Sequence, residues 1–333
     1  EIVAVGKGAL YSNTVGDTNT AVGFNALTLA TGAENTALGN RAMQAHTTGV
    51  NNVAVGRLAL QANTTASSNT AVGYQAGNSN TTGRVHTFVG LEAGRSNTTG
   101  VDNVAIGAVA LFANTTGNYN VAVGGSITGT TYGALGANTT GSQNTAVGVA
   151  AFPAMTTGAG NTAIGESSGK VIATGNNNTF VGQNGSASGS AVSHEILIGC
   201  NTTGKGSNTG FINPNGGGVY QGNNSSSWAT TSDQRLKKNI VDNTDGLEKL
   251  LQIKVRNFEY RLPEEVTELP QDQAIEKQGV QLGVIAQELQ QILPECVKTE
   301  STGVMTVDSD NLTWYLINAV KELTARIKQL EGN

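Results

Sequence analysis

The sequence predicts a mostly β chain: a parallel β-solenoid of 17-residue repeats, then a small α+β domain ending in a coiled-coil helix. Three observations predict it. A four-residue string of the type V/T-A/F-V/I/L-G, with the last copy ending "LIG" at 197–199, occurs twelve times between residues 3 and 199. Charge is nearly absent before residue 232 and dense after it. The last twenty residues carry apolar side chains at spacings of four and three.

The repeat comes first. The closing glycines fall at Gly6, Gly23, Gly39, Gly56, Gly73, Gly90, Gly107, Gly124, Gly148, Gly165, Gly182 and Gly199. Their spacing is 17 throughout, apart from one interval of 16 and one of 24. Such a period marks a stacked array, and it overrides the disordered look of a chain with 44 glycines. Each unit reads as a short strand, then a second apolar pair such as "NAL" at 25–27 or "LAL" at 58–60, then an Asn-Thr-Thr-Gly turn. Val, Ile and Thr suit strands, and glycine suits tight corners. One unit cannot bury its apolar positions alone, so copies must stack. Ala and Val are expected to point inwards, and the Asn-Thr-Thr corners to form side-chain ladders that satisfy the backbone without charge. The interval at 124–148 holds seven extra residues and reads as a projecting loop.

Residues 200–231 lose the period and read as a neck or cap, which gives domain limits of 1–199, 200–231 and 232–333. Beyond the seam, "DGLEKLLQI" at 245–253 sets Leu247, Leu250 and Leu251 on one helical face behind Gly246. "VRNFEYRL" at 255–262 alternates as a strand does, and the Pro-bearing stretch after it reads as a loop. Residues 280–297 begin as a strand and turn helical, with Ile285, Leu289 and Ile292 on one face until Pro294 stops them. "TGVMTVDSDNL" suggests a short hairpin leading into a helix over 312–331, whose seam is Leu316, Val320, Leu323, Ile327 and Leu330. Val/Ile with Leu favours two strands by the general rule, and two heptads are too few to fix the number.

Composition narrows the function. Residues 1–231 hold seven Lys+Arg and seven Asp+Glu, so the formal net charge of −5 lies wholly in residues 232–333. With no basic stripe, nucleic acid is not an expected partner. No apolar run approaches the ~20 residues of a spanning helix, and no signal peptide is read at the start, so membrane insertion is not expected. The chain opens in mid-pattern with "EIVAVG", as expected of a piece of a longer protein. Cys200 and Cys296 have no C-x-x-C spacing, so neither a disulfide framework nor a metal site is expected, and no cofactor is implied. Gly-rich fragments such as "GALGAN" belong to coil corners rather than to a nucleotide loop.

At the seam, "TTSDQRLKKNI" places a serine within reach of two lysines. A seryl hydroxyl attacks only when a base takes its proton, and a lysine can be that base once burial lowers its pKa. Ser232 and Lys237 make such a pair in type. On a regular helix, five residues set side chains about 140° apart, so the pair needs a turn or two subunits. The plain alternative is that Ser232 caps a helix and Lys237 and Lys238 are solvated. No histidine helps, because His46, His86 and His194 all lie in the repeats. Attack on the preceding carbonyl would cut Thr231–Ser232. A glycosidase would need two facing carboxylates, whereas those of the repeats are scattered over separate coils.

The units "NTAVG" and "NVAIG" resemble the head repeats of YadA-like trimeric adhesins over roughly residues 1–200. That resemblance implies a left-handed β-roll built from three chains, although the family's units are usually shorter than 17 residues. "SDQRLKKNI…GVIAQELQQILPECV…VDSDNLTWYLINAVKELTARI" resembles the S74 intramolecular chaperone domains that end phage endosialidase tailspikes and many tail fibres. This second resemblance implies a domain that trimerises, assists folding of the fibre ahead of it and then cuts itself off. It implies Ser232 and Lys237 as the catalytic pair, and it leans towards a cut between Ser232 and Asp233 rather than before Ser232. The expected whole is a phage tail fibre or receptor-binding appendage, a homotrimer made in the host cytoplasm and carried in the virion. Its other partner would be a host cell-surface receptor, a glycan or an outer-membrane component. A bacterial trimeric adhesin head and a glycan-degrading tailspike are the alternatives.

Overall fold

The computed structural model describes residues 1–126, 133–213, 219–222, 228–230, 232–269, 274–275, 277–300 and 303–332. The chain divides into two compact units, Glu1–Asp233 and Gln234–Asn333.

The first unit is a β-solenoid. Strands β1 (Val3–Val5) through β12 (Ile196–Gly199) are short and stack in chain order as parallel neighbours. Register follows the repeat, as where Val53, Ala54 and Val55 face Thr70, Ala71 and Val72. Successive side chains of a strand point to opposite sides, so only the middle residue enters the coil. Ala21, Ala37, Ala54, Ala71 and Phe88 are each fully buried. The expectation that Val points inwards with Ala is therefore corrected. The valines flank the inward position, where Val72 and Val147 stay 37 and 38% exposed.

Backbone groups are satisfied between coils in both directions. Thr70 donates its N–H to the His86 carbonyl of the next coil (2.8 Å), and Gly73 donates to Val55 of the previous one (2.8 Å). Two internal asparagine ladders complete this pairing. In the first, the residue just before each strand accepts the N–H of its successor: Asn69 donates to Asn52 Oδ1 (3.0 Å), and His86 to Asn69 Oδ1 (3.0 Å). The second runs through the corners, where Asn97 Nδ2 donates to Asn80 Oδ1 (2.9 Å) and Asn114 Nδ2 to Asn97 Oδ1 (2.7 Å). Corner threonines add a third series, as where Thr81 Oγ1 donates to the Thr98 carbonyl (3.0 Å). A buried amide is costly unless bonded, and in-register stacking bonds most of these asparagines to their own kind, while Asn63 pairs with His46 and the Oδ1 atoms of Asn63 and Asn138 have no partner among the described residues.

Core volume is conserved by exchange. The residue four after the strand-closing glycine is Leu27, Met43, Leu60 or Leu111, and the seven extra residues of the long interval displace its equivalent to Leu135; all five are fully buried. All five adopt left-handed φ between 47° and 51°. At the two coils flanking Phe88 this position is Gly77 and Gly94. A Cβ at Gly94 would lie 2.6 Å from the Phe88 ring, and one at Gly77 2.8 Å from it. One large strand residue thus replaces two leucines. After the 24-residue interval the coil resumes at Gly133, while residues 127–132, where the projecting loop was expected, lie outside the described residues.

Past β12 the stacking continues at a shorter interval. Strand β13 (Gly210–Asn213) pairs parallel to β12, with Ile196 facing Gly210. Strands β14 (Val219–Gln221) and β15 (Trp228–Thr230) then close the sheet antiparallel.

The second unit is a small α+β module. Helix α1 (Leu247–Leu250) is followed by strand β16 (Arg256–Phe258), which pairs antiparallel with β17 (Gln281–Gly283). Helix α2 (Ala286–Gln290) leads into hairpin β18 (Val297–Thr299) and β19 (Met305–Val307), and helix α3 (Ser309–Leu330) ends the chain. The last helix begins at Ser309 rather than Leu312, because the Asp308 side chain caps it by accepting the Asp310 N–H. Leu289, Leu293, Cys296, Val297 and Tyr315 form the core.

Candidate functional site

The seam lies where β15 has ended. Thr231, the first of the expected cleavage-site residues, lies outside the described residues. Ser232 is exposed and Asp233, half-buried, is the last residue of the first unit. The second unit opens on a 3₁₀ turn, Gln234–Leu236, closed by the Lys237 N–H donating to the Gln234 carbonyl (3.0 Å). Lys237 is exposed, as are Arg235 and Lys238. Ser232 falls within the residue range of the first unit and Lys237 within that of the second. The intervening residues make one 3₁₀ turn rather than an α-helix, so the 140° separation of an α-helical S-x4-K is not imposed.

Behind the seam, the chain is tied to helix α3. Asn318 Nδ2 donates to the carbonyls of Asn243 and Asp245, both at 2.9 Å, and Glu322 Oε1 accepts the Leu247 N–H at 3.2 Å. One turn earlier, Tyr315 donates its hydroxyl to Glu295, which with burial pushes the phenol up to about 12. Burial, with Glu295 and Asp308 nearby, raises the neighbouring Cys296 thiol. Asn243, Glu295, Tyr315 and Asn318 line a cleft of about 680 Å³ with Asn311, Trp314 and Lys321. The Asn318–Glu322 clamp was not picked out in the sequence, although two polar residues four apart on a heptad helix were the available signal. The Tyr315–Glu295 pair had no local signal, being twenty residues apart.

The rest of α3 is bare. Leu316, Val320, Leu323, Ile327 and Leu330 are 44 to 87% exposed, so the heptad seam has no partner within its own unit among the described residues. Arg256 forks onto Glu288 at 2.8 and 3.2 Å, but the pair is solvent-exposed and contributes little. Among the described residues, no group of three or more His, Cys, Asp and Glu side chains gathers to hold a metal. No helix among them is long and apolar enough to cross a membrane.

Residues 232–298 match the family model described as chaperone of endosialidase, Peptidase S74. The chain is 36% identical over 108 residues to the long tail fiber protein Gp37 of Enterobacteria phage K3, covering 30% of this chain and 8% of that protein. The same protein of Enterobacteria phage T2 is also 36% identical over 108 residues, covering 30% of this chain and 7% of its own length. The chain thus spans less than a tenth of the length of these relatives. No solved structure matches it significantly. The match to the chaperone-of-endosialidase family model opens on Ser232, where the solenoid sheet has ended and the charged module begins.

Proposed function

We propose that the chain is part of a phage tail fibre, with the solenoid as its shaft and residues 232–333 as a C-terminal module that trimerises the chain and assists its folding. The module is then released by cleavage beside Ser232. One observation carries this reading: the family match begins at Ser232, immediately after the sheet, and its chain runs on into a helix whose apolar seam is bare. The similarity to two long tail fiber proteins supports the virion setting. Attachment to a host surface component and synthesis in the host cytoplasm follow from that setting as parts of the proposal.

The division of labour has a physical reason. Parallel stacked strands form through contacts distant in the chain, so they assemble slowly. A module held by its own helix can bring three chains together first. Cleavage then makes the assembly kinetically one-way. In the proposed chemistry, Lys237 takes the Ser232 hydroxyl proton while the oxygen attacks the Thr231 carbonyl; the Thr231–Ser232 C–N bond breaks, the proton passes to the freed Ser232 amine, and water hydrolyses the resulting ester. For a cut between Ser232 and Asp233, the attacking oxygen comes from Ser232 of a neighbouring copy, the Ser232–Asp233 C–N bond breaks with the proton passing to the Asp233 amine, and water again hydrolyses the ester. Because both side chains are exposed in the single chain, the burial that makes lysine a base is supplied on assembly by neighbouring copies.

The test is expression of the wild type, Ser232→Ala and Lys237→Ala, followed on denaturing gels and by intact mass. Wild type splitting at a bond flanking Ser232, with both variants whole, supports the pair. A whole wild-type chain refutes cleavage and leaves the chaperone role to a truncation at residue 231. Soluble shafts of normal stoichiometry from the truncated gene would refute that role.

A further inference from the structure

Charge in the solenoid is sorted between two places on each coil. One is the turn in the five residues after the strand-closing glycine, and the other is the bend in the three residues before the strand. Five of the seven Lys and Arg residues before residue 232 stand in the first turn: Lys7, Arg41, Arg57, Arg95 and Lys170. Glu92 and Glu166 join them, so five cations less two acids leave this turn at +3. The bend holds Asp17, Glu34 and Asp102 against Arg84, which leaves it at −2. Surface aromatics follow the cations. Among the described residues of β1 to β12 and their turns, Tyr11, Phe24, Tyr74 and Phe112 stand in the turn, and Tyr119 stands in the bend.

Stacking converts the turn into a ridge. Backbone bonds link it from coil to coil: the Arg41 N–H donates to the Phe24 carbonyl (2.9 Å), Gln75 to Arg57 (3.0 Å) and Glu92 to Tyr74 (2.8 Å). Side chains stack along it too. The Arg57 guanidinium carbon lies 5.5 Å from the centre of the Tyr74 ring, and that of Arg95 lies 5.4 Å from the centre of Phe112. Beside them, Gln61 Nε2 donates to Gln44 Oε1 (3.2 Å) and Asn78 Nδ2 to Gln61 Oε1 (3.1 Å). Arg95 meets Glu92 at 3.6 Å, whereas Arg41 and Arg57, both exposed, have no carboxylate in reach among the described residues. From Phe24 to Phe112 the ridge crosses six coils, a length of about 24 Å at about 4.8 Å per rise.

The chemistry of the ridge selects its ligand. A guanidinium resting on an aromatic ring keeps its edge N–H groups free to fork onto a carboxylate or phosphate. The ring beside it offers a flat apolar surface that suits the C–H face of a sugar. Primary amides donate and accept at once, as the hydroxyls of a sugar do. A polymer with hydroxyls, C–H faces and an occasional negative charge meets all three. A nucleic-acid strand carries a phosphate at every nucleotide, and three arginines and one glutamate over six coils are too few to neutralise it.

We propose that the ridge from Phe24 to Phe112 binds an acidic polysaccharide of a bacterial surface. Arg41, Arg57 and Arg95 take its carboxylate or phosphate groups, and Tyr74 stacks on a sugar ring. This inference rests on the proposed attachment to a host surface and deepens it by naming the site and the class of ligand.

The experiment uses the full chain with Ser232→Ala to keep it whole. Labelled protein is laid over an array of bacterial lipopolysaccharide-core and capsular oligosaccharides, some neutral, some bearing carboxylate and some bearing phosphate, with oligo-dT as the nucleic-acid arm. Binding is expected on acidic oligosaccharides, and not on neutral ones or oligo-dT. The carboxylate and phosphate arms tell which acid is taken. Titration of the strongest acidic oligosaccharide should give an affinity that weakens with added salt. Arg57→Ala should weaken it about tenfold or more, and Arg57→Lys less, since the charge stays while the fork is lost. Tyr74→Ala should weaken it about fivefold. Arg84→Ala, in the acidic bend, should change it less than about twofold. Circular dichroism checks that these surface variants keep the fold. Binding to no acidic oligosaccharide, equal binding to neutral ones, stronger binding to oligo-dT, or equal losses from Arg57→Ala and Arg84→Ala overturns the inference. Adsorption to a panel of whole bacterial strains separates the ridge from attachment itself. Strains that hold the parent chain and the Arg57→Ala/Tyr74→Ala double variant equally overturn the ridge and leave attachment standing. A chain that adsorbs to no strain and to no oligosaccharide overturns both.

Discussion

Phe88→Ala tests the exchange of core volume between coils. Phe88 is fully buried, and its ring lies where leucines at 77 and 94 would otherwise sit. Removing the ring costs about 4 kcal/mol, since the lost transfer energy is joined by a cavity the stiff stack cannot collapse. The stacking on His86, with ring centroids 4.6 Å apart, is lost as well. Adding Gly77→Leu and Gly94→Leu to Phe88→Ala should restore about half of that cost or more. Both glycines have φ of +58°, close to the 48° and 51° at Leu60 and Leu111, so leucine meets the backbone it already tolerates one coil away. The same two leucines beside an intact Phe88 overlap its ring and should destabilise by about 1–3 kcal/mol or more. Because a solenoid opens locally, the readout is amide hydrogen exchange by mass spectrometry, coil by coil. Protection should fall around residues 70–110 in Phe88→Ala and return in the triple variant. A triple variant no better protected than Phe88→Ala, or leucines harmless beside Phe88, would refute the volume argument.

Three more outcomes follow from single residues. Gly73 has φ of +139° and a Cβ there would lie 2.2 Å from the Gly90 carbonyl oxygen, so Gly73→Ala should cost about 3 kcal/mol and strip protection from its own and the next coil. Val85 is a β-branched residue at φ 60° and 49% exposed, so Val85→Asn should stabilise its coil by about 1 kcal/mol, seen as slower local exchange. Burial lowers His86 from 6.5 to about 4, so the unfolded chain binds the extra proton first. Stability is therefore whole above about pH 6.5 and falls by up to about 3 kcal/mol as pH drops to 4. His86→Asn, which restores the ladder residue, should flatten that acid limb in exchange measured across this window.

The coil was legible because its period is a covalent property of the chain, carried by glycines such as Gly56, Gly73 and Gly90 that few other residues could replace. Which side of a strand faced inwards was not, because Ala and Val are both apolar and the narrow interior alone chooses Ala. The left-handed positions were hidden for a related reason. Leu27, Leu60 and Leu111 adopt them because coil closure requires it, against their own preference. His86 and Glu195 broke the asparagine pattern and so concealed that they continue it. His86 Nδ1 accepts the Asn103 N–H at 3.1 Å, as an Asn oxygen does elsewhere, and Glu195 ends the ladder by accepting from Gly206 at 2.7 Å. In the module, the helices and hairpin were legible from apolar spacing. At the seam, the sequence offers Ser232 and Lys237 as candidates, and spacing alone could not show that a 3₁₀ turn lies between them in the chain.

The parallel stacking also has a mechanical consequence. Hydrogen bonds between coils run along the solenoid axis, as from Thr70 to His86 and from Gly73 to Val55, so a pull along that axis loads them one rung at a time. Each rung that opens frees the 17 residues between equivalent strand positions, such as Val53 and Thr70. Drawn out at about 3.4 Å per residue, that chain spans almost 60 Å where the folded coil rose about 4.8 Å. Every coil is thus a stored length of about 50 Å that yields before the chain breaks. A tether built this way lengthens in steps under load and can rewind when the load is removed.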